Sequence, residues 1–315
     1  MESATVIRPE STATATAPLS KVLFVIDTLE FGGAEQSLLE NTRNFKTILP
    51  VVCHIYSGET LKPKFLANGI RVYSFNIKKK YGFMQAFQHL DALVQAEKPA
   101  LLVAYLTRSE ILTRLIGRIR NIPVVGTFVN DLYTPTYNQH LPWTSKMAIQ
   151  LFKLLNRFTS RFCAGFVANS LAIKEANSKH LGIPAGKITV INRGRNSSAF
   201  KCKLVETGQG SQIRFLNVAR LFPVKNHKDL LIGFKGFVEK NPDSTLHIVG
   251  DGPMRDELAQ LINDNRLEGK VILLGARSDV PQLLAEFDCF VFPSLVEGFS
   301  GAIVEAMFAG LPVLA

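Results

Sequence analysis

Two glutamates, Glu297 and Glu305, bracket the segment Glu297-Gly-Phe-Ser-Gly-Ala-Ile-Val-Glu305. Ser300, Gly301 and Ala302 are small and suit the start of a helix, whose first N–H groups have no partner inside the helix and can hold a phosphate or sugar oxygen. A favourable dipole interaction at a helix start accounts for Glu297 better than for Glu305. Both carboxylates can accept hydrogen bonds from neutral hydroxyls such as those of a sugar and a ribose. Upstream, Arg220-Leu-Phe-Pro-Val-Lys225 places two cations just past an apolar strand. A guanidinium grips phosphate in a bidentate way and an ammonium adds a compact charge, so the pair could neutralise a diphosphate or stand as solvated surface cations. Two glycine turns complete the set. Gly32 and Gly33 lie at the first strand-to-helix junction, and Gly250-Asp251-Gly252-Pro253 follows a later strand. Each permits close approach of a ligand to the backbone, or is only a tight turn.

These residues need a scaffold of strands that end on one edge. Short apolar runs alternate with amphipathic segments along all 315 residues, the pattern of βαβ units feeding parallel sheets in an α/β protein. Strands are expected to begin at Lys21, Pro50, Ile70, Ala100, Pro123, Cys163 and Lys187, and then at Ile213, Thr245, Lys270 and Asp288. Helices are expected over Met147–Phe162, His227–Lys240, Met254–Arg266, Val280–Glu286 and Gly301–Ala309. In the first of these, Leu151, Leu154, Leu155, Phe158 and Phe162 form an apolar stripe, with Lys153, Arg157 and Arg161 on a solvated face opposite it. The polar stretch around Asn192–Ser211 divides the chain. The expected organisation is a disordered tail over 1–20, a first Rossmann-like domain over 21–195, a linker over 196–211 and a second Rossmann-like domain over 212–315. The last strand, in Leu-Pro-Val-Leu-Ala, has nothing after it, so the second domain is expected to be incomplete, cut short at its C-terminus.

The formal charge of +10 calls for an anionic partner: phosphates, nucleic acid or an acidic membrane surface. Nucleic acid ranks low, because aromatic and basic residues are not interleaved and no recognised module is present. Basic residues also gather at Lys78-Lys79-Lys80 and at Lys146, Lys153, Arg157 and Arg161, where contact with an anionic membrane is one reading. No apolar run approaches the roughly 20 residues of a membrane span. Four scattered cysteines without a C-x-x-C pair favour buried thiols in a reducing, cytoplasmic compartment, with neither disulfide framework nor metal site.

Taken together, Gly32-Gly33, Arg220 with Lys225, the Gly250 loop and the Glu297…Glu305 pair resemble the retaining glycosyltransferases of the GT-B fold, group 1, over about Lys21 to Ala315. That resemblance implies two Rossmann-like lobes and a nucleotide-diphosphate sugar donor, with UDP or GDP as the carrier, bound mainly by the second lobe. It also implies an acceptor held by the first lobe, and neither cofactor nor obligatory metal. By the same resemblance Arg220 and Lys225 clamp the diphosphate, Glu305 meets the ribose, and Glu297 meets the sugar. The amides of Phe299, Ser300 and Gly301 meet the sugar and distal phosphate. One departure concerns the histidine that many members carry after a first-lobe strand. Here Gly126-Thr-Phe-Val-Asn130-Asp131 offers Asn130, which can hydrogen-bond a sugar hydroxyl but cannot do imidazole chemistry. The junction Arg193-Gly-Arg195 adds two cations, which either face an anionic donor or acceptor or sit in a solvated loop. Catalysis is thus expected from Glu297, Arg220, Lys225 and Asn130. A nucleotide-sugar-binding protein without turnover is the alternative, and a relative that isomerises or phosphorolyses sugars is a third reading.

Overall fold

The computed structural model describes residues 19–78, 82–139, 141–202 and 212–315. Most of the expected tail, Lys79, Lys80 and residues 203–211 of the expected linker lie outside the described residues.

The apolar runs form strands because they are buried on both faces. In the first lobe these are β1 (Ser20–Ile26), β2 (Ile48–Tyr56), β3 (Arg71–Ile77), β4 (Leu101–Tyr105), β5 (Val124–Phe128), β6 (Gly165–Ala168) and β7 (Ile188–Val190). They pair in parallel in the order β3-β2-β1-β4-β5-β6-β7. The connecting helices are α1 (Gly33–Asn44), α2 (Lys62–Ala67), α3 (Phe83–Glu97), α4 (Thr107–Arg120), a short α5 (Pro135–Asn138), α6 (Trp143–Thr159) and α7 (Leu171–Leu181). Local chemistry sets their ends. Ser170 caps α7 by accepting from the Ile173 amide, and Gly182 closes it in the left-handed conformation.

The second lobe repeats the plan. Its strands β8 (Arg214–Val218), β9 (Thr245–Val249), β10 (Val271–Gly275), β11 (Cys289–Val291) and β12 (Val313–Leu314) lie in the order β10-β9-β8-β11-β12, all parallel. Helices α8 (His227–Val238), α9 (Arg255–Asp264), α10 (Val280–Leu284) and α11 (Gly301–Phe308) cover it. Each sheet has an apolar cluster on either face. In both lobes the strand order reverses direction beside the first strand, the place where open α/β sheets leave a crevice at their carboxyl edge.

Every expected strand is present to within a few residues. The expected helix over Met147–Phe162 begins four residues earlier and ends in a single 3-10 turn, Ser160–Phe162. Its orientation corrects the reading made from spacing. The face that α6 buries carries Asn156 and Thr159, while Leu151, Leu154, Leu155 and Phe158 face outward. The cations therefore border an exposed apolar stripe, and the face opposite that stripe is the buried one.

A polar knot explains this inversion. Arg114 of α4 is fully buried, pairs with Glu110 at 2.9 Å and donates to Asn156 Oδ1 of α6 at 2.6 Å. Asn156 donates in turn to the Tyr133 hydroxyl at 2.7 Å. Among the described residues, no helix is long and apolar enough to cross a membrane. Removing one member of a buried ion pair strands the other, at a cost of about 3–5 kcal/mol. Arg114→Met should lower first-lobe stability by that order in urea titrations, and adding Glu110→Gln should recover a large part.

Candidate functional site

The carboxyl edges of the two sheets face each other across a cleft of about 520 Å³. The first lobe contributes Gly32 and Gly33 at the start of α1, and the second contributes Arg220, Gly250, Gly301 and Glu305. Arg195 and Asn196 of the connecting segment enter the same space. Backbone geometry makes the glycines necessary. Gly250 has φ +146°, and a Cβ there would lie 1.9 Å from the Ala219 carbonyl oxygen. This lets the Gly250 turn fold tightly over the end of β8, where the Leu221 amide donates to Asp251 O at 2.9 Å. A Cβ on Gly301 would lie 2.1 Å from the Arg195 guanidinium, and one on Gly33 would lie 2.9 Å from that of Arg193.

The charged groups are matched in pairs. Lys225 is ion-paired with Glu297, which also accepts from Ser294 Oγ at 3.1 Å. Arg195 donates from Nε to Glu305 at 2.6 Å, across 110 positions of sequence. Arg193 donates to the Phe299 carbonyl at 3.3 Å, and its Nε is buried without a hydrogen-bond partner among the described residues. Burial and the neighbouring Arg195 make the Arg193 charge costly, with Glu297 and Glu35 opposing that effect. Burial likewise raises the Glu35 carboxyl above the ordinary range, while Arg220 and Arg193 draw it down. Arg220 is exposed, its guanidinium 5.1 Å from the Phe222 ring. Ser300 caps α11 by accepting from the Ile303 amide at 3.3 Å, and Gly301 beside it lies against Arg195 of the connecting segment.

Asn130 sits elsewhere. It lines a separate first-lobe cavity of about 380 Å³ at the ends of β1, β4 and β5, with Asp27, Arg108, Glu110 and Tyr133. The two regions meet at Gly298, where a Cβ would come within 2.5 Å of the Val129 carbonyl oxygen. Sequence reading missed the polar floor of this cavity. Burial pushes the Glu110 carboxyl up to about 7, with Arg114 and the Thr127 amide restraining the rise. Asp27 accepts from the Ser109 hydroxyl at 2.5 Å and from its amide at 3.0 Å. The Glu110-x-x-x-Arg114 spacing was the available signal, hidden inside an amphipathic helix. His227 was also passed over. It is fully buried at the start of α8, donating from Nε2 to Asn217 Oδ1 at 3.1 Å, and Asn217 ties β8 to β11. The junction expected to be either solvated or ligand-facing is partly buried: Arg195 lines the cleft, Arg193 lies between Gly33 and the Phe299 carbonyl, and Phe200 stacks on Phe308 of the second lobe. Cys53, Cys163 and Cys289 are buried thiols, and among the described residues no three His, Cys, Asp or Glu side chains cluster as a metal site.

Two parallel α/β lobes with a cationic cleft between them define a protein of the two-lobed class, and its likeness to known proteins places it more closely. Residues 31–198 match the model of Glycosyltransferase Family 4, and residues 205–315 match that of Glycosyl transferases group 1. The chain belongs to this glycosyltransferase family. It is 30% identical over 244 residues to the UDP-Gal:alpha-D-GlcNAc-diphosphoundecaprenol alpha-1,3-galactosyltransferase of Escherichia coli, a match covering 73% of this chain. That match spans 61% of the E. coli protein. The chain is 32% identical over 142 residues to the amylovoran biosynthesis glycosyltransferase AmsK of Erwinia amylovora, covering 42% of this chain and 35% of that one. The crystal structure of Anabaena HepE in complex with UDP-glucose superposes with a TM-score of 0.77 at 25% identity, covering 93% of this chain and 79% of that one.

Burial, with Lys225 nearby, depresses the His227 imidazole to about 4 from an ordinary value near 6.5. The unfolded chain therefore binds the extra proton first, and stability falls as pH drops from 6.5 towards 4. Glu110 acts in the opposite sense as pH falls from 7, because its folded form holds a proton the unfolded form has lost. A His227→Gln variant should thus show a shallower loss of Tm between pH 6.5 and 4 than the parent, read by scanning calorimetry.

Proposed function

We propose that this protein is a glycosyltransferase that holds a nucleotide-diphosphate sugar, with UDP as the favoured carrier, in the cleft between its lobes. The observation that carries the reading is the convergence of Arg195, Arg220, the Gly250 turn, the α11 start and Glu305 on one space. A diphosphate brings concentrated negative charge, and guanidinium groups with free helix N–H groups are its natural partners. The UDP-glucose complex of HepE supports UDP as the carrier.

Without donor, the cations and carboxylates of the site neutralise each other. On binding, Lys225 exchanges Glu297 for phosphate, leaving that carboxylate for a sugar hydroxyl. Arg195 exchanges Glu305 for the diphosphate, leaving Glu305 for the ribose. The partnerless Nε of Arg193 then faces an acceptor anion or the donor. Arg220 meets the phosphates from the mouth, and the amides of Phe299, Ser300 and Gly301 meet the sugar and distal phosphate. As the glycosidic bond to the diphosphate breaks, these cations stabilise the charge that develops on the leaving group. The first-lobe cavity receives the acceptor, with Asn130 at its rim and Glu110 within it. The E. coli relative's diphosphoundecaprenol-linked acceptor supports a lipid-linked substrate, used from the cytoplasmic side of a membrane. Transfer with retention, and without an obligatory metal, follows the family resemblance.

Each charged hydrogen bond to the diphosphate is worth about 1.5–3 kcal/mol. Lys225→Ala should therefore weaken UDP binding by roughly 10- to 100-fold in calorimetric titration, and the thermal shift given by UDP should shrink with it. Absence of stabilisation of the parent protein by any nucleoside diphosphate would overturn the reading. Donor binding without sugar release or transfer, over a panel of acceptors, would instead support a binding protein without turnover. The anomeric configuration of the product, read by NMR, decides retention.

A further inference from the structure

Helix α6 presents its apolar residues to solvent. Trp143, Met147, Leu151, Leu154, Leu155 and Phe158 are all exposed, Trp143 at 73% and Leu154 at 66%. At 3.6 residues per turn the six fall within an arc of about 120°. Lys146, Gln150, Lys153 and Arg157 follow along one border of that arc, and Arg161 continues the line, its guanidinium 4.3 Å from the Phe158 ring centre. An ordinary surface helix turns such a stripe inward. Here the inward face is committed to Asn156, bound by Arg114 and Tyr133, so the apolar arc has nowhere to go but outward.

We propose that this face of α6 is the surface by which the protein docks on an anionic lipid bilayer, lying in the plane of the headgroups. The apolar arc with tryptophan at one end enters the acyl boundary, and the bordering cations meet lipid phosphates. Charge decides between a membrane and a second copy of this chain. Helix α6 contains no carboxylate, so a copy packed face to face through the same helix offers the cations no counter-charge. An anionic bilayer offers it along the whole helix.

Neighbouring elements share this orientation. Helices α3, α4 and α6 pack side by side, and in parallel βα units their starts all lie at the carboxyl edge of the sheet. Exposed Phe83 and Met84 begin α3 after exposed Lys78, at the same edge as Trp143. The inner side of α6 completes the docking geometry. Ile149 and Phe152 line the first-lobe cavity, so one helix separates that cavity from the proposed lipid surface. A ligand carried on a lipid could reach the cavity without leaving the bilayer.

Vesicle flotation tests the surface independently of the donor site. The protein should float with mixed phosphatidylglycerol–phosphatidylcholine vesicles, remain behind with phosphatidylcholine alone, and be released by high salt. Leu151→Gln/Leu154→Gln should reduce partitioning by at least tenfold, since each leucine contributes burial worth roughly a factor of ten. Lys146→Gln/Arg157→Gln should reduce it roughly 30-fold, at about a fivefold loss per cation. Both variants alter exposed side chains and should keep the parent's melting temperature and its response to UDP. Failure of the parent to float, or flotation of both variants like the parent, would overturn the proposal. So would a dimer in gel filtration that Leu151→Gln/Leu154→Gln dissolves while no flotation is seen, because a second copy would then cover the face.

Discussion

Cations gathered at the edge of a parallel sheet repel one another unless something near them carries the opposite charge. Arg195 and Arg220 line the cleft of this protein, with Arg193 and Lys225 near Glu297 beside it, and Glu297, Glu305 and Glu35 are the groups that make this tolerable. Pairings of this kind restrict side chains before a ligand arrives, which lowers the entropy that binding would spend. They also set a selectivity rule. In the proposed exchange a ligand supplies both anionic charge for the freed cations and hydroxyls for the freed carboxylates. A nucleotide-diphosphate sugar has both, whereas inorganic phosphate has only the first.

The connecting segment links this balance to the relation between the lobes. Arg195 reaches Glu305 of α11, and Arg193 lies between Gly33 of the first lobe and Phe299 of the second. Any ligand that draws either arginine away changes what the connection holds. Gly298 of the second lobe also approaches the first lobe closely, where a Cβ would lie 2.5 Å from the Val129 carbonyl oxygen. A ligand bound as proposed at the cleft would thus act on contacts that join the lobes, the kind of arrangement from which domain closure is ordinarily built.

The first lobe solves a different electrostatic problem. Glu110 and Arg114 are removed from water, and hydrogen bonds from Thr127 and to Asn156 carry the polarity that solvent would supply. The same knot fixes the roll of α6 about its axis. One buried arginine thus shapes the cavity floor on one side of that helix and exposes an apolar face on the other.

The strands, the two-lobed plan and the glycine turns were written in the sequence, because they depend on neighbours in the chain. A run such as Val22–Ile26 can only be buried, and a glycine at φ +146° follows from a turn that closes within a few residues. Glu297, Arg220 and Lys225 could be picked out as candidates for the same reason, each following a strand, and Glu305 from its place about one turn inside α11. Which cation meets which carboxylate was not legible. Arg195 and Glu305 are 110 positions apart, and only the packing of two sheets brings them within 2.6 Å. Nor could spacing tell which side of α6 faces inward. Periodicity reveals that a stripe exists, whereas the partner across the interface, here a buried arginine seeking Asn156, decides where the stripe points.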